Sequence, residues 1–124
     1  GYADVKKAAA LTAQKVMGTS GLIFQVNTLG GAITRGPDSA YAHRKFPFMG
    51  EIQAYWERKS ARDQLIEDVT VIRKAIGAKA HYRNYPDPTL ENPSEAYYGE
   101  SLLQLKALKI RYDPDNVIRH AQSL

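Results

Sequence analysis

The chain has 124 residues, a net charge of +4 from 17 Lys and Arg against 13 Asp and Glu, 44% hydrophobic residues, 24% charged residues and no cysteine. That length suits one domain spanning 1–124 rather than two, and that composition buries enough apolar surface to offset chain entropy, which excludes global disorder. Without cysteine, a disulfide framework, thiolate metal sites and a Cys nucleophile within the chain are excluded.

From Ala3 to Met17, apolar or small side chains recur at Val5, Ala8, Ala9, Thr12, Ala13, Val16 and Met17, a helical spacing, and Gly18 follows where a left-handed residue would end the helix. Leu22 to Leu29 reads as a half-buried strand, with Gln25 and Asn27 opposite Phe24 and Val26, stopped by Gly30-Gly31. After the turn residues Arg35-Gly36-Pro37-Asp38, extended segments are expected at Ala40–His43 and Phe48–Trp56. In the second of these Glu51, Gln53 and Tyr55 share a face and Ile52 and Ala54 take the other.

Ser60 to Ala75 is a helix carrying the stripe Leu65, Val69, Ile72, Ile76, with Ser60 as cap, Asp63 three residues on and Gly77 as stop. His81 to Tyr85 is expected to be extended, because Tyr85 precedes Pro86. A last helix is expected from Glu95 to Tyr112, ended by Asp113-Pro114. This order gives an α+β class, an antiparallel or mixed sheet with helices packed on it.

No apolar run approaches the roughly 18 residues of a membrane span. The cations come in pairs, Lys6-Lys7, Arg44-Lys45 and Arg58-Lys59, separated by acids, so no nucleic-acid partner is expected. The chain starts at Gly1 with no leader pattern, which reads as a processed product, a trimmed chain or a fragment. There is no G-x-G-x-x-G, no P-loop and no G-x-S-x-G elbow. His43, His81 and His120 are far apart and no H-E-x-x-H is present, so no metal site is expected.

Three groups of residues carry a resemblance. The first runs through Gly30-Gly31-Ala32-Ile33-Thr34-Arg35, Asp38-Ser39-Ala40-Tyr41-Ala42-His43-Arg44 and Ile52-Gln53 with Trp56; the second is Tyr82-Arg83-Asn84-Tyr85-Pro86-Asp87. The third is Tyr97-Tyr98-Gly99, Leu105, Lys109, Tyr112-Asp113-Pro114-Asp115-Asn116-Val117 and Gln122-Ser123-Leu124. In this order they resemble the C-terminal part of berberine-bridge-enzyme-like FAD-linked oxidases, in the vanillyl-alcohol-oxidase fold family. The chain departs from the family pattern at Ser101, where an Asn is usual, and at Gln104, often an Arg. A shorter side chain at 101 loosens contact with cofactor or backbone.

The resemblance implies an antiparallel sheet that covers a flavin held by a separate N-terminal portion, so that FAD is expected for the full family member and none for this chain alone. It implies a tyrosine base, Tyr82 or Tyr85, with Asn84 positioning it and Gln53 or Glu51 lining the pocket. Such a base takes the proton of the substrate oxygen while a hydride leaves the adjoining carbon. Strand alternation puts Tyr82 and Asn84 on one face and Tyr85 on the other. Asn84, Tyr98 and Ser101 are the residues expected toward the cofactor. His43 and Arg44 read as an anion-binding pair or as a surface turn.

The function implied is the substrate-side portion of an oxidase of alcohol, sugar or secondary-metabolite carbons, partnered by a flavin-binding portion. The alternatives are a flavin-free domain that binds a small apolar ligand or self-associates as a homodimer, and a repurposed cyclase or isomerase using tyrosine and carboxylate chemistry.

Overall fold

In chain order the elements are α1 (Tyr2–Gly18), β1 (Leu22–Thr28), β2 (Phe48–Ala54), α2 (Lys59–Ile76), α3 (Pro93–Tyr98) and α4 (Leu102–Tyr112), an α+β class. The computed structural model describes residues 2–37 and 39–124, with the backbone alone for Tyr2. Asp38, the last residue of the expected turn, lies outside the described residues. The chain divides into two units, Gly1–Ile33 with Phe46–Ala78 and Thr34–Lys45 with Lys79–Leu124.

In the first unit, α1 buries Ala8 and Thr12, one turn apart, and packs Val16 against the core. Met17 is exposed instead of joining this face, because it lies about 100° around the helix from Val16. Gly18 remains helical, and the residue with positive φ is Gly21, at +89°. Glycine is required there twice over: the Tyr55 N–H donates to the Gly21 carbonyl at 2.8 Å, and a Cβ on Gly21 would collide with the Tyr55 carbonyl.

Strands β1 and β2 pair antiparallel, with Leu22 opposite Ala54, Phe24 opposite Ile52 and Gln25 opposite Glu51. The alternation read from the sequence holds here. Ile52 and Ala54 pack against the core of Leu22, Leu65 and Ile72, which Val69 and Ile76 of α2 complete. The Phe24 ring lies over Gly50, where an added Cβ would come within 3.3 Å of it.

Helix α2 starts at Lys59, with Arg58 extended at the cap and no side-chain cap bond. Ser60 is therefore not the cap: it already sits in the first helical turn, whereas capping needs a residue still outside the helix. Gly77 ends α2 as expected, with φ +64° and its N–H donating to the Arg73 carbonyl. The buried face of α2 also carries Asp68, only 1% exposed, which the apolar stripe did not announce. Its carboxylate accepts from Lys15 Nζ at 2.6 Å, Thr19 Oγ1 at 2.8 Å and Gln64 Nε2 at 3.2 Å.

In the second unit, two expected extended segments are not strands. Residues 42–45 form a turn, and the Tyr85 N–H donates to the Tyr82 carbonyl at 3.0 Å, which closes a turn over 82–85. A short extended segment persists when ladder neighbours take up its backbone groups; here the Tyr85 N–H turns back on Tyr82 and the His81 N–H goes to the Ala96 carbonyl of α3, so 81–85 joins no ladder. The single helix expected from Glu95 to Tyr112 is broken at Gly99, with φ +50° and ψ −126°, and a short 3₁₀ turn over Gly99–Ser101 leads into α4.

Pro93 opens α3 in its first turn, where a missing N–H costs nothing. Asp113 ends α4 as expected, and its carboxylate accepts from Val117 N–H at 2.7 Å, from Ile118 N–H at 3.0 Å and from the Lys109 ammonium. Lys109 also reaches the Ile118 carbonyl, so one lysine and one aspartate fold the tail back after the helix.

Candidate functional site

The turn at 82–85 changes which side chains meet. Strand alternation separates Tyr82 from Tyr85, but the turn brings their rings to 5.4 Å between centroids at 75°. Asn84 lies beside them, its Nδ2 donating to the Tyr82 phenolic oxygen at 2.8 Å. An amide aimed at that oxygen stabilises negative charge developing on it. Tyr85 is 54% exposed, so one ring of the pair is open to a ligand.

Behind the pair stand Tyr41 and His43 from the other segment of the same unit. The His43 and Tyr82 rings are 6.0 Å apart at 78°, those of Tyr41 and Tyr82 6.5 Å at 83°, and those of Tyr41 and His43 5.3 Å at 90°. These are edge-to-face contacts, the arrangement ring quadrupoles prefer. His43 is 9% exposed, not a surface residue. Burial, and next the charge of Arg83, push its pKa below the usual imidazole value, opposed by a hydrogen bond with the His81 backbone. The ring is therefore neutral at neutral pH.

Arg44 is engaged by its own segment. Its guanidinium stacks over Tyr41 at 5.5 Å, donates to Ser39 Oγ at 3.0 Å and leaves no room for a Cβ on Gly36. Arg83 lies over the Tyr98 ring at 5.8 Å, and Tyr98 meets Tyr97 edge-on at 6.3 Å. Ser101 is half-buried at the end of the 3₁₀ turn.

Glu51 and Gln53 belong to the first unit, on the ribbon face turned away from its core. Gln53 Nε2 donates to Glu51 Oε1 at 2.8 Å, and the Tyr55 hydroxyl donates to Gln53 Oε1 at 3.0 Å, a polar row that the strand reading anticipated. From sequence, no role falls to Tyr41 or Arg83 beside Tyr82, although both lie inside the segments that carry the resemblance, and His43 reads toward an anion rather than toward Tyr82. Among the described residues no cluster of three or more His, Asp or Glu is placed to hold a metal ion, and no helix is long and apolar enough to cross a membrane.

Residues 81–124 match the family model described as berberine and berberine like. This is the berberine-like region of FAD-linked oxidoreductases. Over 111 residues the chain is 36% identical to an uncharacterized FAD-linked oxidoreductase of Bacillus subtilis, YvdP, covering 86% of this chain and 25% of that protein. A second uncharacterized FAD-linked oxidoreductase of the same organism, YgaK, is 32% identical over 100 residues, covering 77% and 22%. The chitooligosaccharide oxidase of Gibberella zeae is 34% identical over 99 residues, covering 70% and 20%. The chain spans a quarter or less of the length of these relatives. No solved structure matches it.

Among the described residues, two of those expected toward the cofactor are engaged within the second unit. The Asn84 amide donates to the Tyr82 oxygen and the Tyr98 ring carries Arg83. The cavity between α1, β1 and α2, about 240 Å³, is walled by side chains such as Val5, Val16, Phe24 and Ile76, with Thr12 as its polar group. Such a lining gives a pyrophosphate nothing to bind.

Proposed function

We propose that the chain is the substrate-side portion of an FAD-dependent oxidoreductase, and that Tyr82, as the phenolate, takes the proton from a substrate hydroxyl while the carbon bearing it gives up a hydride to the flavin. The observation that carries this reading is the Asn84 amide on the Tyr82 oxygen, 2.8 Å away, beside the open ring of Tyr85. A flavin bound by polypeptide outside these residues would supply the two-electron acceptor; the part that falls to this chain is the proton and the fit of the substrate. Tyr85, more exposed and with no donor described on its oxygen, suits stacking against an alcohol, sugar or secondary-metabolite ring rather than proton transfer. The likeness to a chitooligosaccharide oxidase favours a sugar hydroxyl among these.

Apolar side chains on and after α4, Leu103, Ile110, Tyr112, Val117 and Ile118, are exposed, and such a surface calls for a partner. We assign it to the flavin-binding portion, with self-association as the alternative outcome when molecular mass is measured in solution.

The test is flavin reduction in the FAD-loaded full-length protein, followed by loss of the oxidised flavin band after mixing with a chitooligosaccharide. Tyr82→Phe is expected to slow reduction by roughly 10²–10⁴-fold, the range for losing a positioned acid or base, and Tyr85→Phe by much less. Equal and near-normal rates in both variants would remove the tyrosine from the mechanism.

A further inference from the structure

The turn that carries Tyr82 and Tyr85 is fastened from outside. The Asp87 N–H donates to the Tyr97 phenolic oxygen at 2.9 Å, the Tyr97 hydroxyl donates to Gln122 Oε1 at 3.0 Å, and Gln122 Nε2 donates back to the Asp87 carbonyl at 2.8 Å. These bonds form a closed ring of three residues drawn from the segment just after the turn, from α3 and from the C-terminal tail. Each partner both gives and accepts: the phenol, the amide, and the Asp87 N–H and carbonyl, the carbonyl also accepting from the Leu90 N–H at 3.3 Å.

Tyr97 is 3% exposed, which makes a broken bond there expensive, since water is not at hand to replace it. At the other end of the turn the His81 N–H donates to the Ala96 carbonyl at 2.9 Å. Both ends of the segment are thus anchored to consecutive residues of α3, Ala96 and Tyr97, and the Tyr85 to Tyr82 backbone bond takes up the slack between them. The tail that supplies Gln122 is itself braced, because the Gln122 N–H donates to His120 Nδ1 at 3.2 Å and the Ser123 N–H to the His120 carbonyl at 3.1 Å.

We propose that Tyr97 and Gln122 are positioning residues, a clasp by which the C-terminal tail fixes the orientation of the Tyr82–Asp87 turn and so of the tyrosines on it. They act through the Asp87 N–H and carbonyl. The proposal rests on the reading of Tyr82 as the reacting group, and it concerns different atoms.

The experiment uses the full-length protein with tyrosine ring Cζ labelled for NMR, and follows amide hydrogen exchange at Asp87 in Tyr97→Phe, Gln122→Ala and the double variant. Each single substitution is expected to speed Asp87 exchange by roughly tenfold, the equivalent of one hydrogen bond of about 1.4 kcal/mol. The double variant is expected to go little beyond the larger single effect, because the ring is already open. The Tyr82 and Tyr85 resonances should move in every variant while that of Tyr55, in the first unit, stays.

Gln122→Ala leaves the buried ring of Tyr97 in place and decides the matter if Tyr97→Phe fails to fold. Unchanged Asp87 exchange and unmoved Tyr82 and Tyr85 signals would overturn the clasp. So would melting of α3 and α4 in Gln122→Ala, which would make the contact one of stability alone. Tyr82→Phe, which leaves Asp87 exchange untouched, tests the proton-acceptor reading apart from the clasp.

Discussion

The Lys15 ammonium meets the Asp68 carboxylate 2.6 Å away, across 53 residues of sequence, and joins α1 to α2 at a carboxylate that is 1% exposed. Burial alone would raise the carboxyl pKa; the bond from Lys15 first, with those from Thr19 and Gln64, more than offsets it and holds it below the ordinary 3.8. Asp68→Ala is expected to destabilise the first unit by about 2–3 kcal/mol, the scale of a charged hydrogen bond, with the part-exposed Lys15 turning to solvent. Because the folded value lies below the unfolded one, this contribution is full above about pH 4–5 and is lost as pH falls through the folded pKa. Denaturant titration from pH 7 to pH 3 checks both, and the variant should lose less than the parent chain over that fall.

His43 gives a dependence in another window. Its folded pKa is depressed below 6.5, so the neutral ring is the form the fold prefers. Stability of the second unit is therefore full above about pH 6.5 and declines as pH drops toward the folded value, where the unfolded chain gains a proton that the folded one resists. His43→Phe keeps an aromatic edge against Tyr82 and Tyr41 and is expected to flatten the curve between pH 7 and pH 5. The measurement is unfolding followed by the tyrosine signals of that unit.

Gly21 is a test of backbone geometry. Alanine there would have to hold φ near +89° with its methyl group driven into the Tyr55 carbonyl. Gly21→Ala is expected to cost about 2 kcal/mol and to loosen the end of the ribbon at Leu22 and Ala54, seen as faster exchange of the Tyr55 amide. Gly18→Ala, where an added Cβ meets nothing, should be neutral or mildly stabilising.

Asn84 separates the site from the scaffold. Asn84→Ala removes the amide from the Tyr82 oxygen and leaves both anchors of the turn, at His81 and Asp87, in place. Flavin reduction in the loaded full-length protein is expected to slow by about tenfold, with Asp87 exchange unaltered. A normal rate would show that the amide plays no part in the chemistry.

Periodicity alone determined the parts of this protein whose burial has a regular repeat. The α2 stripe of Leu65, Val69, Ile72 and Ile76, the stop at Gly77, and the split of β2 into Ile52/Ala54 and Glu51/Gln53 faces follow from spacings of 3.6 and 2 residues, which local geometry imposes. Tertiary structure decided what depends on partners distant in sequence. Asp68 is buried where Lys15 reaches it, the segment carrying Tyr82 and Tyr85 is tied at its ends to Ala96 and Tyr97, and Gln122 reaches a carbonyl 35 residues away. A hydrogen bond between remote residues leaves no repeat in the sequence, so pattern reading finds the regular elements of the first unit, while the turns at 42–45 and 82–85 and the break at Gly99 came only with the fold.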